Sequence, residues 1–242
     1  MHSSSFYPEV MPFHAKSRVL VLFDIDGTLL RRAGPHHREV LEEAVWRVAG
    51  VRATTEGIPV QGMLDGEILR CMLRQAGAAE PTAEQMLTIM NKAQALYVRR
   101  CPDLRDKVCP GVPELLARLT AQAAVVGLVT GNLSRIGWRK MTQAGLRPHF
   151  RFGAFAEQGA TRAELAGLAL AEARRRWVDE PVTATLIGGH PNDIAAARAN
   201  GLRCVAVGTG VVPLDELAQH RPDVLVQDLR ELKLEQLTCV DW

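Results

Sequence analysis

Residues 18–24, RVLVLFD, are apolar except at their two ends, the pattern of a strand buried on both faces. After them the period changes. In PHHREVLEEAVWRVAG the apolar positions Val40, Leu41, Ala44, Val45 and Val48 fall on one helical stripe, with Pro35 near the start and Gly50 as the stop. DGEILRCMLRQAG repeats the stripe with Ile68, Leu69, Met72 and Leu73 and stops at Gly77. PTAEQMLTIMNKAQALYVRR opens with Thr82 and Gln85 at capping-box spacing and carries Met86, Ile89, Met90, Ala93 and Tyr97 on its apolar side. The stretch 33–108 therefore reads as an all-helical block without a strand.

From Pro110 onward helix and strand alternate. GVPELLARLTAQ, LSRIGWRKMTQAG, TRAELAGLALAEARRRW and PNDIAAARANG are amphipathic. AAVVGLVTGN, HFRFGAF, VTATLIGG and RCVAVGTG are apolar throughout. A short helix at 213–220, a strand DVLVQ and a helix at 229–237 complete the expected order. Apolar strands alternating with amphipathic helices predict an α/β fold, a Rossmann-like parallel sheet with helices on both faces. The expected organisation is a flexible tail at 1–17, a core formed by 18–32 and 109–242, and an all-helical cap domain at 33–108 inserted after the first strand.

Composition narrows the classes without naming one. Of 242 residues 47% are hydrophobic and 23% charged, ordinary for a globular chain, and the net charge of +2 argues against nucleic acid or an anionic membrane surface. No apolar run reaches the roughly 20 residues a membrane-spanning helix needs. The opening MHSSSFYPEVMPFHAKS lacks the unbroken apolar core of a secretory signal. The five cysteines, Cys71, Cys101, Cys109, Cys204 and Cys239, are scattered without zinc spacing and read as free thiols of a cytoplasmic protein.

The chemistry gathers at the expected carboxyl ends of strands, where open parallel sheets place their sites. The first strand ends in Asp24, with Asp26 two positions on and the turn Gly27-Thr28 after it. A buried carboxylate is costly unless something positive pairs with it. Two at a strand end can hold a hard cation, or can divide the labour of nucleophile and proton carrier. The second strand ends in Thr130, Gly131 and Asn132, and the fourth in GGHPND. His36, His37 and Arg38, with Arg31 and Arg32, form a basic cluster where the helical block begins. They are either a solvated helix start or a greeting for an anionic substrate. ARRR at 173–176 reads as a surface face, and GTG at 208–210 as a loop, because it lacks a dinucleotide-binding context.

FDIDGTLL resembles the first motif, D-x-D-G-T, of the haloacid dehalogenase superfamily; VTGN is similar to its second, and Arg162 in GATRAEL matches the cation of its third. IGGHPNDIAAARANG resembles its fourth, G-D-x-x-x-D with the helix that follows. The helical insertion corresponds to a C1 cap, and PVQGMLDGEILRCML with VAVGTG is similar to the phosphoglycolate-phosphatase-like branch. The resemblance implies Asp24 as a nucleophile forming an aspartyl-phosphate and Asp26 as proton donor and water activator. It implies Thr130, the Gly131 amide, Asn132 and Arg162 around the phosphoryl group, and Mg²⁺ held by Asp24, the Asp26 carbonyl and Asp193. The second aspartate, Asp26, favours phosphate chemistry over dehalogenation.

One position departs from the pattern. Gly189 stands where the fourth motif has its first aspartate, while Asp193 keeps the second. Three consequences are open. Mg²⁺ binds more weakly, with Asp193 direct or through water; the chain binds a phosphorylated ligand or partner without turnover; or His190 recruits a softer metal. The expectation taken forward is a cytoplasmic Mg²⁺-dependent phosphatase of a small phosphorylated metabolite, phosphoglycolate-like. The non-catalytic binder and a sugar-phosphate mutase are its alternatives.

Overall fold

The computed structural model describes residues 17–31 and 34–237. The expected tail therefore lies almost wholly outside the described residues, as do Arg32 and Cys239. Six parallel strands form one sheet in the order β3-β2-β1-β4-β5-β6: β1 (Ser17–Phe23), β2 (Val125–Val129), β3 (Phe152–Ala154), β4 (Val178–Gly188), β5 (Arg203–Val207) and β6 (Val224–Val226). Leu20 pairs with Val125 on one side and Ala184 on the other, so β1 is the central strand of the expected α/β sheet. Leu20, Val21, Leu22 and Phe23 are fully buried, each stabilising the fold by about 1.5–3 kcal/mol. The strand order reverses between β1 and β4, and crevices that bind ligands form at such a switch.

Helices α1 (His36–Ala49), α2 (Asp65–Gln75) and α3 (Ala83–Arg100) lie between β1 and the next sheet-covering helix, α4 (Val112–Ala121). Among the described residues 34–108 no strand occurs; the chain leaves and returns where Leu30 and Val108 meet as an isolated bridge. α1 ends at Gly50 in the left-handed region (φ 70°), as its sequence predicts. The capping box of α3 is complete: the Gln85 N–H donates to Thr82 Oγ1 and the Thr82 N–H to Gln85 Oε1. The predicted apolar stripes face inward, with Leu41, Val45, Leu69, Met72, Ile89 and Tyr97 all buried.

α5 (Ser134–Gln143), α6 (Arg162–Arg176), α7 (Pro191–Ala199) and the short α8 (Leu214–Gln219) complete the fold. The expected helix at 229–237 is absent; only Leu234–Gln236 make a single 3₁₀ turn. Local side chains capture the backbone there. Asp228 Oδ1 accepts the Arg230 N–H and Gln236 Oε1 the Lys233 N–H, which competes with helix formation. The apolar residues that suggested a helix, Leu229, Leu232 and Leu237, instead anchor an irregular segment in the core.

Candidate active site

β1 ends on Phe23, and the backbone of Asp24 continues against β4 through its N–H to the Ile187 carbonyl (3.0 Å). Asp24 is almost fully buried. Its Oδ1 accepts from Arg162 Nη1 at 3.0 Å, and the same guanidinium nitrogen donates to the Val129 carbonyl at 3.2 Å. Arg162 stands at the start of α6 and is itself buried; its Nε lies 3.4 Å from Asp193 Oδ1. Burial pushes the Asp24 carboxyl up to about 7, with Arg162 opposing and the charges of Asp193 and Asp26 adding to the rise. Asp193 is also raised by burial against the pull of Arg162.

Asp26 meets a different environment. Its side chain is 42% exposed to the cavity and is gripped by Lys140, whose Nζ lies 2.7 and 2.6 Å from its two oxygens. Lys140 is 1% exposed and donates also to Asn132 Oδ1 (2.7 Å), with His37 Nδ1 at 3.4 Å. Burial alone would raise Asp26, but the charges of Lys140 and His37 and the hydrogen bonds from Lys140 and Asn132 outweigh it. The carboxyl stays below its ordinary value. The two acids of the first strand end thus meet different partners, Asp24 the buried Arg162 and Asp26 the buried Lys140.

Thr130, Gly131 and Asn132 follow β2. Thr130 Oγ1 and Asp26 Oδ2 both accept from Asn132 Nδ2 at 2.7 Å, so Asn132 joins the two strand ends. Gly131 has to be glycine: a Cβ there would stand 2.2 Å from the Met63 carbonyl oxygen of the helical insert. The insert reaches the site elsewhere too. Asp65, buried at the start of α2, accepts the Leu133 N–H (2.8 Å), and His37 Nε2 lies 3.1 Å from it. Gln94 of α3 accepts the Arg135 N–H (2.9 Å), so two insert side chains satisfy donors at the N-terminus of α5. Asp24, Asp26, Thr130, Gly131, Asn132, Arg162 and Lys140 line one cavity of about 1010 Å³ between sheet and insert. Asp193 sits behind Arg162.

A family model for haloacid dehalogenase-like hydrolases matches residues 19–201. The chain belongs to that family. Among relatives of this hydrolase, a phosphoglycolate phosphatase from Nitrosococcus oceani is 24% identical over 228 residues, covering 90% of this chain and 96% of that protein. CbbY from Rhodobacter sphaeroides, solved in complex with xylulose-(1,5)bisphosphate, shares the fold with a TM-score of 0.69 at 21% identity, over 90% of this chain and 98% of that one. A β-phosphoglucomutase from Clostridium difficile does so at 0.68 and 17%, over 90% and 94%. In this hydrolase the expected site residues come together, with Arg162 bridging Asp24 and Asp193.

Lys140 is the member the sequence reading missed. Its signal is position: with Ile136, Gly137 and Met141 it lies on the buried stripe of α5, where a lysine needs a partner. The Asp65–His37 pair was missed as well, although His37 belongs to the basic cluster noted above. Of that cluster Arg31, His37 and Arg38 line the cavity. His190 is a helix cap: its Nδ1 accepts the Asn192 N–H (3.1 Å) and its ring packs under Gly62. Burial, helped by Arg162, lowers its pKa. That ring nitrogen is occupied, and no cluster of three His, Cys, Asp or Glu side chains suited to a metal occurs among the described residues, so the softer-metal reading finds no support.

What remains for a hard cation is oxygen donors, Asp24 and Asp26 at the cavity and Asp193 behind Arg162, fewer than the family pattern has. Asp24 and Asp193 share Arg162, and Asp26 is paired with Lys140 with His37 close by. Asp193 Oδ1 is buried without a hydrogen bond. Gly189 contributes no side chain.

Proposed function

We propose that this chain is a phosphatase of a small phosphomonoester, phosphoglycolate-like, that works through Asp24. The coarse activity, phosphoric monoester hydrolysis, is that of the hydrolase family and of phosphatase relatives at 24% identity. The observation that carries the finer reading is the pair of carboxylates at one cavity, a buried Asp24 on Arg162 beside Asp26 on Lys140. An oxygen of Asp24 attacks phosphorus, forming an aspartyl-phosphate as the bond to the leaving oxygen breaks. Asp26, whose pKa the arriving phosphate raises, gives that oxygen its proton. Asp26 then takes a proton from water, the hydroxide attacks phosphorus, and inorganic phosphate and free Asp24 result. Thr130, Gly131 and Asn132 hold phosphoryl oxygens, and Arg162 neutralises charge on them. Asp24 and the Asp26 carbonyl, with Asp193 behind, would hold a Mg²⁺ ion, which would supply further charge neutralisation.

We also propose residues 33–108 as the cap over a core of 18–32 and 109–242, in a cytoplasmic setting. Cys71, Cys101, Cys109 and Cys204 are free, and no helix among the described residues is long and apolar enough to cross a membrane. A second reading, a phospholigand binder without turnover, is favoured by Gly189 alone. Release of phosphate from a panel of small phosphomonoesters, in Mg²⁺, tests the choice. Turnover by the natural protein that Asp24→Asn abolishes supports the phosphatase. A natural protein silent across the panel but binding inorganic phosphate supports the second reading.

A further inference from the structure

The loop after β4 touches the insert through two side chains. Asn192 Nδ2 donates to the Gly62 carbonyl at 2.9 Å, and the His190 ring lies against the Gly62 main chain. Gly62 sits in the left-handed region (φ 69°), and a Cβ there would collide with Nδ1, Cε1 and Cγ of that ring, so only glycine fits. The Asn192 N–H donates to His190 Nδ1 (3.1 Å), which fixes the ring for this contact. A few residues on, the insert meets the loop after β2. The Met63 carbonyl lies over the bare Gly131 α-carbon, and the Asp65 N–H donates to the Gly131 carbonyl at 2.8 Å. Residues 60–63 are thus held through their main chain by two core loops, which leaves Val60, Gln61 and Met63 to line the cavity.

We propose that His190 and Asn192 are positioning residues: they clasp Gly62 and seat residues 60–63 over the cavity, beside Thr130 and Gly131, before any ligand arrives. The loop that bears a cation ligand in the family pattern thus holds the insert in this chain. The clasp stands on geometry alone; its effect on catalysis rests on the phosphatase reading. A ligand that needs residues 60–63 in place binds in proportion to the fraction of molecules so arranged. Loosening the clasp therefore weakens substrate binding and leaves the chemical step, reached only from the seated form, unchanged.

Amide hydrogen exchange on the full chain without ligand reads the clasp directly. Asn192 is exposed on α7, where alanine is the better helix former, so Asn192→Ala removes the contact and keeps the helix. The expected result is exchange about fivefold faster at the Asp65 and Leu133 N–H groups, which bond between insert and core, the equivalent of one lost hydrogen bond. Val205 and Ala206 in β5 should be unchanged. Gly62→Ala should raise KM about tenfold on the best phosphomonoester of the panel, with kcat within about twofold. His190→Ser keeps a helix cap and removes the ring, so adding it to Gly62→Ala should recover part of that loss. Exchange at Asp65 and Leu133 that Asn192→Ala leaves unchanged overturns the proposal, and so does faster exchange spread equally into β5. A Gly62→Ala loss that His190→Ser does not relieve overturns the role given to the ring. Absence of turnover across the panel overturns the phosphatase reading, and the exchange result then still decides the clasp.

Discussion

Gly189→Asp puts the family's carboxylate back into the sequence, and the structure says that it will not restore the site. The new Cβ falls 2.8 Å from the Gly27 carbonyl oxygen, against about 3.4 Å for ordinary contact, so main chain must move by about 0.6 Å. Neither neighbour yields easily. Gly27 is held by Thr209 and Gly210, and Gly189 follows directly on β4. Forced insertion into a packed region costs about 1–3 kcal/mol. The added carboxylate also joins the carboxylates of Asp24, Asp26 and Asp193 at the same end of the sheet. For a chain of this size each kcal/mol lowers Tm by about 2–4 °C, so a 2 kcal/mol loss corresponds to about 4–8 °C. The assay is thermal melting of natural protein and variant in excess EDTA, followed by Mg²⁺ titration of each. An unchanged Tm together with firm Mg²⁺ binding by the variant refutes the packing argument.

Lys140→Met leaves Asp26 and Asn132 without their shared cation. Because the Asp26 side chain left behind is 42% exposed to the cavity, the stability loss is about 1 kcal/mol, and loss of proton-transfer control lowers turnover by about 100-fold. Urea unfolding and a pH–rate profile measure both; the Asp26-dependent limb should move to higher pH, and an unmoved limb rejects the role given to Lys140. The pH dependence of stability follows from Asp24, whose carboxyl is raised to about 7 in the fold. A raised folded pKa contributes stability that is full below the unfolded value and is lost as pH rises through about 7. Melting in EDTA should therefore improve as pH falls from about 7 toward 4, and Asp24→Asn should flatten that part of the curve. Thr82→Ala removes the capping box of α3 and should cost about 1 kcal/mol by chemical denaturation; no change means that α3 is held by packing alone.

Which parts of this were readable in the chain depended on how far apart the partners lie. Gly50 ends α1 and Thr82 starts α3 through contacts within a turn, so local residue types announce them. Asp24 and Thr130 could be grouped because strand ends of a parallel sheet share one edge, whereas Arg162, at the start of α6, joined them only through the family resemblance. The Lys140–Asp26 pair spans 114 positions, and nothing beside either residue points to the other. The loss at Gly189 is visible in sequence, but the filling of its space by Gly27 and Gly210 is not, because glycines there look like ordinary turn residues. The segment 229–237 misled for a physical reason: its leucines mark what is buried, and burial alone does not distinguish a helix from an anchored loop.

The N-terminus of α5 bears on how this protein can be taken apart. The Leu133 N–H is met by Asp65, the Arg135 N–H by Gln94 and the Ser134 N–H by Glu157, and two of those three acceptors come from the inserted helices. α5 in turn carries Lys140. The insert is therefore not an interchangeable accessory on a self-sufficient sheet. Trading it for the insert of another family member would strip acceptors from the helix that holds Asp26, so grafts should fail at the chemistry before they fail at substrate choice. A change of substrate is therefore better made within the existing insert, residue by residue.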